Sequence, residues 1–206
     1  MCIRDSIKIC GVTNFEDIEE LCKMNIDSIG FNRDKNSPRF VSLDFLKSAS
    51  IYFNNKISPV IVFVNESSEE VKKAASFFKN PILQFHGDES KNFCSSFNLP
   101  YIKAISMQDD DYLSKIDEFK DAFAILLDSG GKKIRGGTGK TFDWKLIPKE
   151  IKNNFIIAGG LNSNNIASLV SDYHPFGIDV ASGVELEPGK KNIMEIKKFL
   201  QKVYEK

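Results

Sequence analysis

The chain has 206 residues, with 28 Lys and Arg against 28 Asp and Glu. That length holds one domain or two small ones, and a composition 42% hydrophobic and 27% charged is that of a globular protein, not a disordered one. Zero net charge argues against a surface built to coat nucleic acid or an anionic membrane.

The opening Met1-Cys2-Ile3-Arg4-Asp5-Ser6 has no clear period and reads as a disordered or artefactual leader, so one domain is expected over residues 7–206. Short apolar runs then recur at Ile7–Cys10, Ser28–Phe31, Pro59–Val64, Ile82–Phe85, Tyr101–Ile105, Phe123–Leu127, Phe155–Ala158 and Phe176–Val180. Their continuity is that of strands buried on both faces. Helix signals lie between them. Asn14 caps a helix through Met24, with Phe15, Ile18, Leu21 and Cys22 on one face. Ser42 opens a second, and Ser67 with Glu70 fits a capping box ahead of Val71, Ala74, Ala75 and Phe78. Asn162 opens Ile166, Leu169 and Val170, and Ile193–Tyr204 closes the chain at helical spacing. The charge-free stretch Ala158 to Ser171 carries Gly-Gly and several Asn and Ser, unlike the roughly 20 apolar residues of a membrane span.

Strands alternating with helices predict a parallel sheet, and eight units predict an α/β fold, a single-domain (β/α)8 TIM barrel. An open doubly wound sheet is the alternative. The count of eight and the lack of a dinucleotide fingerprint after the first strand favour the barrel. The glycine-dense Gly130–Gly139 reads as a mobile loop after strand six. It fails as a P-loop because Ile134 stands where that motif needs Gly.

A barrel of this kind works at the C-terminal ends of its strands. Cys10 ends strand one, Gln84 and His86 lie at the end of strand four, Asp128 ends strand six and Asp179 lies in strand eight. Gly159-Gly160 and Ser182-Gly183 follow strands seven and eight, where backbone N–H groups can cradle a phosphate. By itself Gly159-Gly160 is equally a tight turn. On position alone Cys10 reads first as a small buried hydrophobe. Asp128 is either a functional acid or a cap, and Arg39 either a carboxylate clamp or a loop arginine. His86 is an orienting group or a satisfied strand-end histidine. Lys190-Lys191 and Lys132-Lys133 read as solvated charge, and no lysine ends a strand in a manner that demands a Schiff base, Lys103 inside Tyr101–Ile105 being the only candidate. Four cysteines without a C-x-x-C pair, and two His, make a zinc site of Cys/His type a poor expectation. With no apolar h-region after the charged start, the expected setting is the cytoplasm, with free thiols.

Taken in register, Lys8-Ile9-Cys10-Gly11-Val12-Thr13, Ser37-Pro38-Arg39, Gln84-Phe85-His86-Gly87-Asp88, Leu126-Leu127-Asp128-Ser129, Ala158-Gly159-Gly160-Leu161 and Asp179-Val180-Ala181-Ser182-Gly183-Val184-Glu185 resemble the phosphoribosylanthranilate isomerase family of tryptophan biosynthesis. The resemblance spans nearly the whole chain from Ile7. It implies an aldose–ketose isomerase, an intramolecular oxidoreductase that performs an Amadori rearrangement without metal or cofactor. By that likeness Asp128 is the general acid, Cys10 the general base and Arg39 the holder of the anthranilate carboxylate. Gln84, His86 and Asp179 are expected on the substrate, and Gly159, Gly160, Ser182 and Gly183 on its phosphate. The implied partner is a small phosphosugar, not nucleic acid or membrane, taken up by a monomer or homodimer. The segment Asn32–Asn36 replaces a commonly aromatic loop, and Ala181 stands where Ser is common. Cys10, rather than Asp, separates the chain from the related histidine-pathway isomerase. The competing reading is a non-catalytic or drifted phosphosugar-binding barrel.

Overall fold

The computed structural model describes residues 6–53, 56–130, 141–148 and 154–205. Eight parallel strands close into a barrel in sequence order: β1 (Ser6–Cys10), β2 (Ser28–Asn32), β3 (Ser58–Phe63), β4 (Ile82–Phe85), β5 (Tyr101–Ser106), β6 (Ala124–Asp128), β7 (Phe155–Ile157) and β8 (Gly177–Val180). The helices between them are α1 (Phe15–Leu21), α2 (Leu43–Ala49), α3 (Ser68–Ala75), α4 (Lys91–Ser95), α5 (Tyr112–Glu118) and α6 (Ile166–Tyr173), and α7 (Ile193–Tyr204) ends the chain. Between β6 and β7 the described residues hold a 3-10 turn at Trp144–Leu146. A short hairpin of β9 (Glu185–Glu187) and β10 (Lys190–Lys191) follows β8. Among the described residues no helix is long and apolar enough to cross a membrane.

The strand and helix boundaries follow the side-chain pattern closely, with instructive departures. β1 already includes Ser6, because the Ser6 amide donates to the Phe176 carbonyl at 3.1 Å and Ser6 pairs with Gly177. Residues 1–5 of the expected leader, and residues 131–139 of the expected mobile loop, lie outside the described residues. Asn14, Ser42 and Ser67 each accept the amide three residues on, as caps should. Glu70, expected to complete the Ser67 box, instead carries an ion pair with Arg33 at 3.2 Å. The helix expected from Asn162 starts later, at Ile166. Asn162 and Asn165 spend their side-chain amides on the Gly160 carbonyl, at 3.1 and 2.9 Å, and so shape the turn before it.

Alternation along each strand divides the apolar residues into two layers. Ile7, Ile9, Ile29, Phe31, Ile61, Phe63, Ile178 and Val180 point outward and pack under the helices. A smaller interior cluster, Val60, Ile102, Ala104, Ala124, Leu126, Ile156 and Ala158, fills the barrel from β3 to β7. The opposite interior wall is polar: Lys8 and Cys10 on β1, Asn32 on β2 and Asp179 on β8. Lys8 pairs in register with Asp179 on β8, and Cys10, one level nearer the mouth, with Gly30 on β2.

Candidate active site

At the C-terminal mouth a cavity of about 590 Å³ is lined by Cys10, Arg39, Gln84, His86, Asp128, Gly159, Gly160, Asp179 and Ser182, among others. Nine of the ten residues expected at the site therefore face one space. Gly183 is the tenth. It does not line the cavity but packs its backbone on the Leu161 carbonyl, joining the loop after β8 to the loop after β7.

The β6 side is simple. Asp128 is buried, and its carboxylate meets His86 Nε2 at 3.2 Å. Gln84 Nε2 lies 3.1 Å from His86 Nδ1. With the Gln84 amide donating to Nδ1, the ring proton sits on Nε2 and is donated to Asp128. Burial alone would push the Asp128 carboxyl up, but the His86 ring and the Ser129 and Gly130 amides outweigh it and hold it below the usual range. Asp128 is thus not a helix cap; its side chain belongs to this cluster. Gly159, at φ +84°, is required here, since a Cβ would collide with Ser129 and lie 2.7 Å from Asp128 Oδ1.

The β1 side is dense in charge. Burial, and then the neighbouring Asp179 charge, push the Cys10 thiol up, while Lys8 and Lys191 pull it down; the net direction is upward. Arg39 binds Glu185 with both Nε and Nη2, at 3.0 and 2.6 Å. That fork fixes the guanidinium in the cavity wall and leaves its other edge for a ligand anion. Burial acts against the Glu185 carboxylate, yet Arg39 and Lys191 hold it below its ordinary range. Lys191 completes the chain, with Nζ 2.7 Å from Glu185 and donating also to the Cys10 carbonyl. It is 3% exposed, so the expectation that Lys190-Lys191 is solvated charge fails for Lys191, although Lys190 is exposed. Lys132-Lys133 lie outside the described residues.

Lys8 and Glu185 are polar residues of this cluster to which sequence reasoning gave no role, and Lys191 is one that it misplaced on the surface. A signal existed: Lys8 alternates with Ile7 and Ile9 in a strand, so it faces the barrel interior as Cys10 does. Lys103, the candidate for a Schiff base, is engaged elsewhere. It pairs with Glu89 at 2.9 Å and donates to the Gly87 carbonyl at 2.6 Å. Glu89 also accepts the Asn65 and Gly87 amides, so the pair fastens the loops after β3 and β4. The unusual Asn32–Asn36 segment is held by Arg33, which is buried, pairs with Glu70 and lies over the Phe40 ring at 5.0 Å.

A thiol and a carboxyl facing each other across the mouth of a closed parallel barrel, beside an anchored guanidinium, define a (β/α)8 barrel with a strand-end site suited to acid–base work. The sequence matches the family described as N-(5'phosphoribosyl)anthranilate (PRA) isomerase over residues 7–202, and the chain belongs to that family. A relative of that name from Legionella pneumophila (strain Paris) is 42% identical, over 98% of each chain. One from Marinomonas sp. (strain MWYL1) is 36% identical, over 94% of this chain and 95% of its own. The crystal structure of phosphoribosyl anthranilate isomerase from Thermotoga maritima superposes with a TM-score of 0.88 at 32% identity, over 97% of this chain and 98% of its own. A further solved isomerase, in complex with reduced 1-(o-carboxyphenylamino)-1-deoxyribulose 5-phosphate, gives a TM-score of 0.85 at 31% identity, over 97% and 98%.

Proposed function

We propose that the chain catalyses the Amadori rearrangement of N-(5-phosphoribosyl)anthranilate to 1-(2-carboxyphenylamino)-1-deoxyribulose 5-phosphate, the isomerase step of tryptophan biosynthesis. The observation that carries this reading is that Cys10 and Asp128 line the same cavity from separate strands, with Arg39 and the glycine turn after β7 on its wall. Asp128 gives a proton to the furanose ring oxygen as the C1–O bond breaks, and the nitrogen lone pair forms the C=N bond. Cys10, as thiolate, removes the proton from C2. The electron pair moves into C1=C2 and the C=N electrons return to nitrogen, giving an enolamine. Return of a proton to C1 and loss of the C2 hydroxyl proton give the ketone. The oxidation at C2 balances the reduction at C1, so the reaction requires one acid, one base and clamps for two anions.

Arg39 takes the anthranilate carboxylate on the edge that Glu185 leaves open. The phosphate lies at Gly159, Gly160 and Ser182, with Gly183 fixing the approach of the two loops. Gln84, His86 and Asp179 face the sugar. A reducing, cytosolic setting keeps the Cys10 thiol available as the base. The protein works as a monomer or homodimer.

The test is a fluorescence assay in which phosphoribosylanthranilate is formed in situ and its loss is followed with wild type, Cys10→Ala and Asp128→Asn. Rapid loss with wild type, and a fall of about 10²-fold or more in each variant, are expected of acid–base groups. Folded wild type that binds a phosphosugar but turns nothing over would establish the non-catalytic barrel instead.

A further inference from the structure

Lys8 stands below the reaction centre and has no part in the acid–base scheme above. It is 2% exposed, inside the barrel, and its ammonium pairs with Asp179 Oδ2 at 2.8 Å. Lys8 and Cys10 are two residues apart on β1, so both side chains project from the same face of the strand. Gly30 in the neighbouring strand leaves the room they share: a Cβ there would lie 2.7 Å from Cys10 Sγ and 2.9 Å from Lys8 Cε. The other Asp179 oxygen, Oδ1, is buried without a hydrogen-bond partner among the described residues, although Asp179 borders the cavity.

We propose that Lys8 is a positioning residue for the isomerase reaction: its buried ammonium, anchored by Asp179, stands against the Cys10 sulfur as the counter-ion of the thiolate. A thiolate formed in a buried site needs a nearby cation, and an ammonium that cannot leave is the simplest one. Four charged groups face Cys10 from the elements around it: Lys8 on β1, Asp179 on β8, Lys191 on β10 and Arg39 after β2. Lys191 and Arg39 are both tied to Glu185, whereas the ion pair of Lys8 among the described residues is with Asp179. Burial disfavours the Lys8 ammonium, but Asp179 and Cys10 outweigh it and the ammonium is retained.

The inference rests on Cys10 as base, so its test has a readout independent of turnover. Alkylation of Cys10 by iodoacetamide is followed against pH, with its peptide resolved by mass spectrometry from those of the other cysteines. In Lys8→Met the midpoint rises by about one pH unit or more, and kcat falls about tenfold or more with KM little changed. If Lys8→Met does not fold, because Asp179 is left buried alone, Lys8→Met with Asp179→Asn is compared with Asp179→Asn, and the same upward shift is expected. An unmoved midpoint, or a rise in KM with kcat intact, overturns the inference. Full turnover by Cys10→Ala would overturn the base assignment, and this inference with it, whatever the alkylation profile shows.

Discussion

The two sides of the barrel mouth solve different electrostatic problems. On the β6 side a single carboxylate meets a single imidazole, Asp128 with His86, and Gln84 orients the ring. On the β8–β1–β2 side the thiol of Cys10 is surrounded by Lys8, Asp179, Arg39 and Lys191, with Glu185 behind the last two. A carboxylate is stable as an anion with a few donors. A thiolate begins several pH units higher and must be held against burial, so its side of the barrel carries the cations. The apolar interior from β3 to β7 then supplies packing without competing charge.

The sharpest way to break this contrast is to remove one group from each side. Asp128→Asn and Cys10→Ala should each lose about 10² to 10⁴ in kcat, since each deletes a proton-transfer group, and single-turnover rates would show it. Glu185→Ala should come next. It strips the shared anion from Lys191 and Arg39 and leaves two cations uncompensated, one of them fully buried. Chemical denaturation should record a loss of about 3–5 kcal/mol, with a raised KM as Arg39 loses its fixed orientation. A loss below about 1 kcal/mol would mean that water already reaches this cluster.

The pH profile sharpens the contrast further. Asp128 is held low and Cys10 is held high, so between the two values the free enzyme carries an ionised acid and a protonated base. The working form, with the proton on Asp128 and none on Cys10, is then a minor population of constant size. The profile of kcat/KM should therefore be flat between the two values. It falls below the Asp128 value, where thiolate is lost without any further gain in protonated Asp128. It falls above the Cys10 value for the mirror reason. His86→Asn removes the group that holds Asp128 low, so the acid limb should move to higher pH. An unmoved limb would remove His86 from the account.

Glu185→Gln gives a smaller, equilibrium effect. The Glu185 carboxyl is depressed in the folded state, so its stabilisation is present above the unfolded value near pH ~4.3 and is lost as pH falls through the folded value. Acid titration of stability should be shallower in the variant over that window. The smallest expected effect is at Cys94, where burial pushes the thiol up to about 12. Its peptide should stay unalkylated at pH 8 while Cys10 reacts slowly.

Much of this was legible in the sequence because the relevant signals are local. Short, wholly apolar runs such as Ile82–Phe85 announce strands buried on both faces, and a polar residue at the end of such a run, as with Asp128, marks the mouth of the barrel. Lys191 was not legible. Its neighbour Lys190 is exposed, and only the register of a two-residue strand turns one lysine inward and the other out. The Arg39–Glu185 fork was equally hidden, since it joins residues 146 positions apart. The role of Arg33 was hidden too, since its ion pair with Glu70 and its place over Phe40 appear only once the strand-two loop is folded.

The closure of β8 on β1 has a consequence for the order of assembly. Lys8 and Asp179 are separated by 171 positions, Lys191 and the Cys10 carbonyl by 181. Contacts of such sequence separation close the largest loops and come late, after the local β–α units have formed. The surroundings of the thiol therefore cannot exist before β8 and its hairpin have been synthesised. A half-synthesised barrel carries Cys10 as an ordinary cysteine, and reactivity arrives only when the last strand and its hairpin dock.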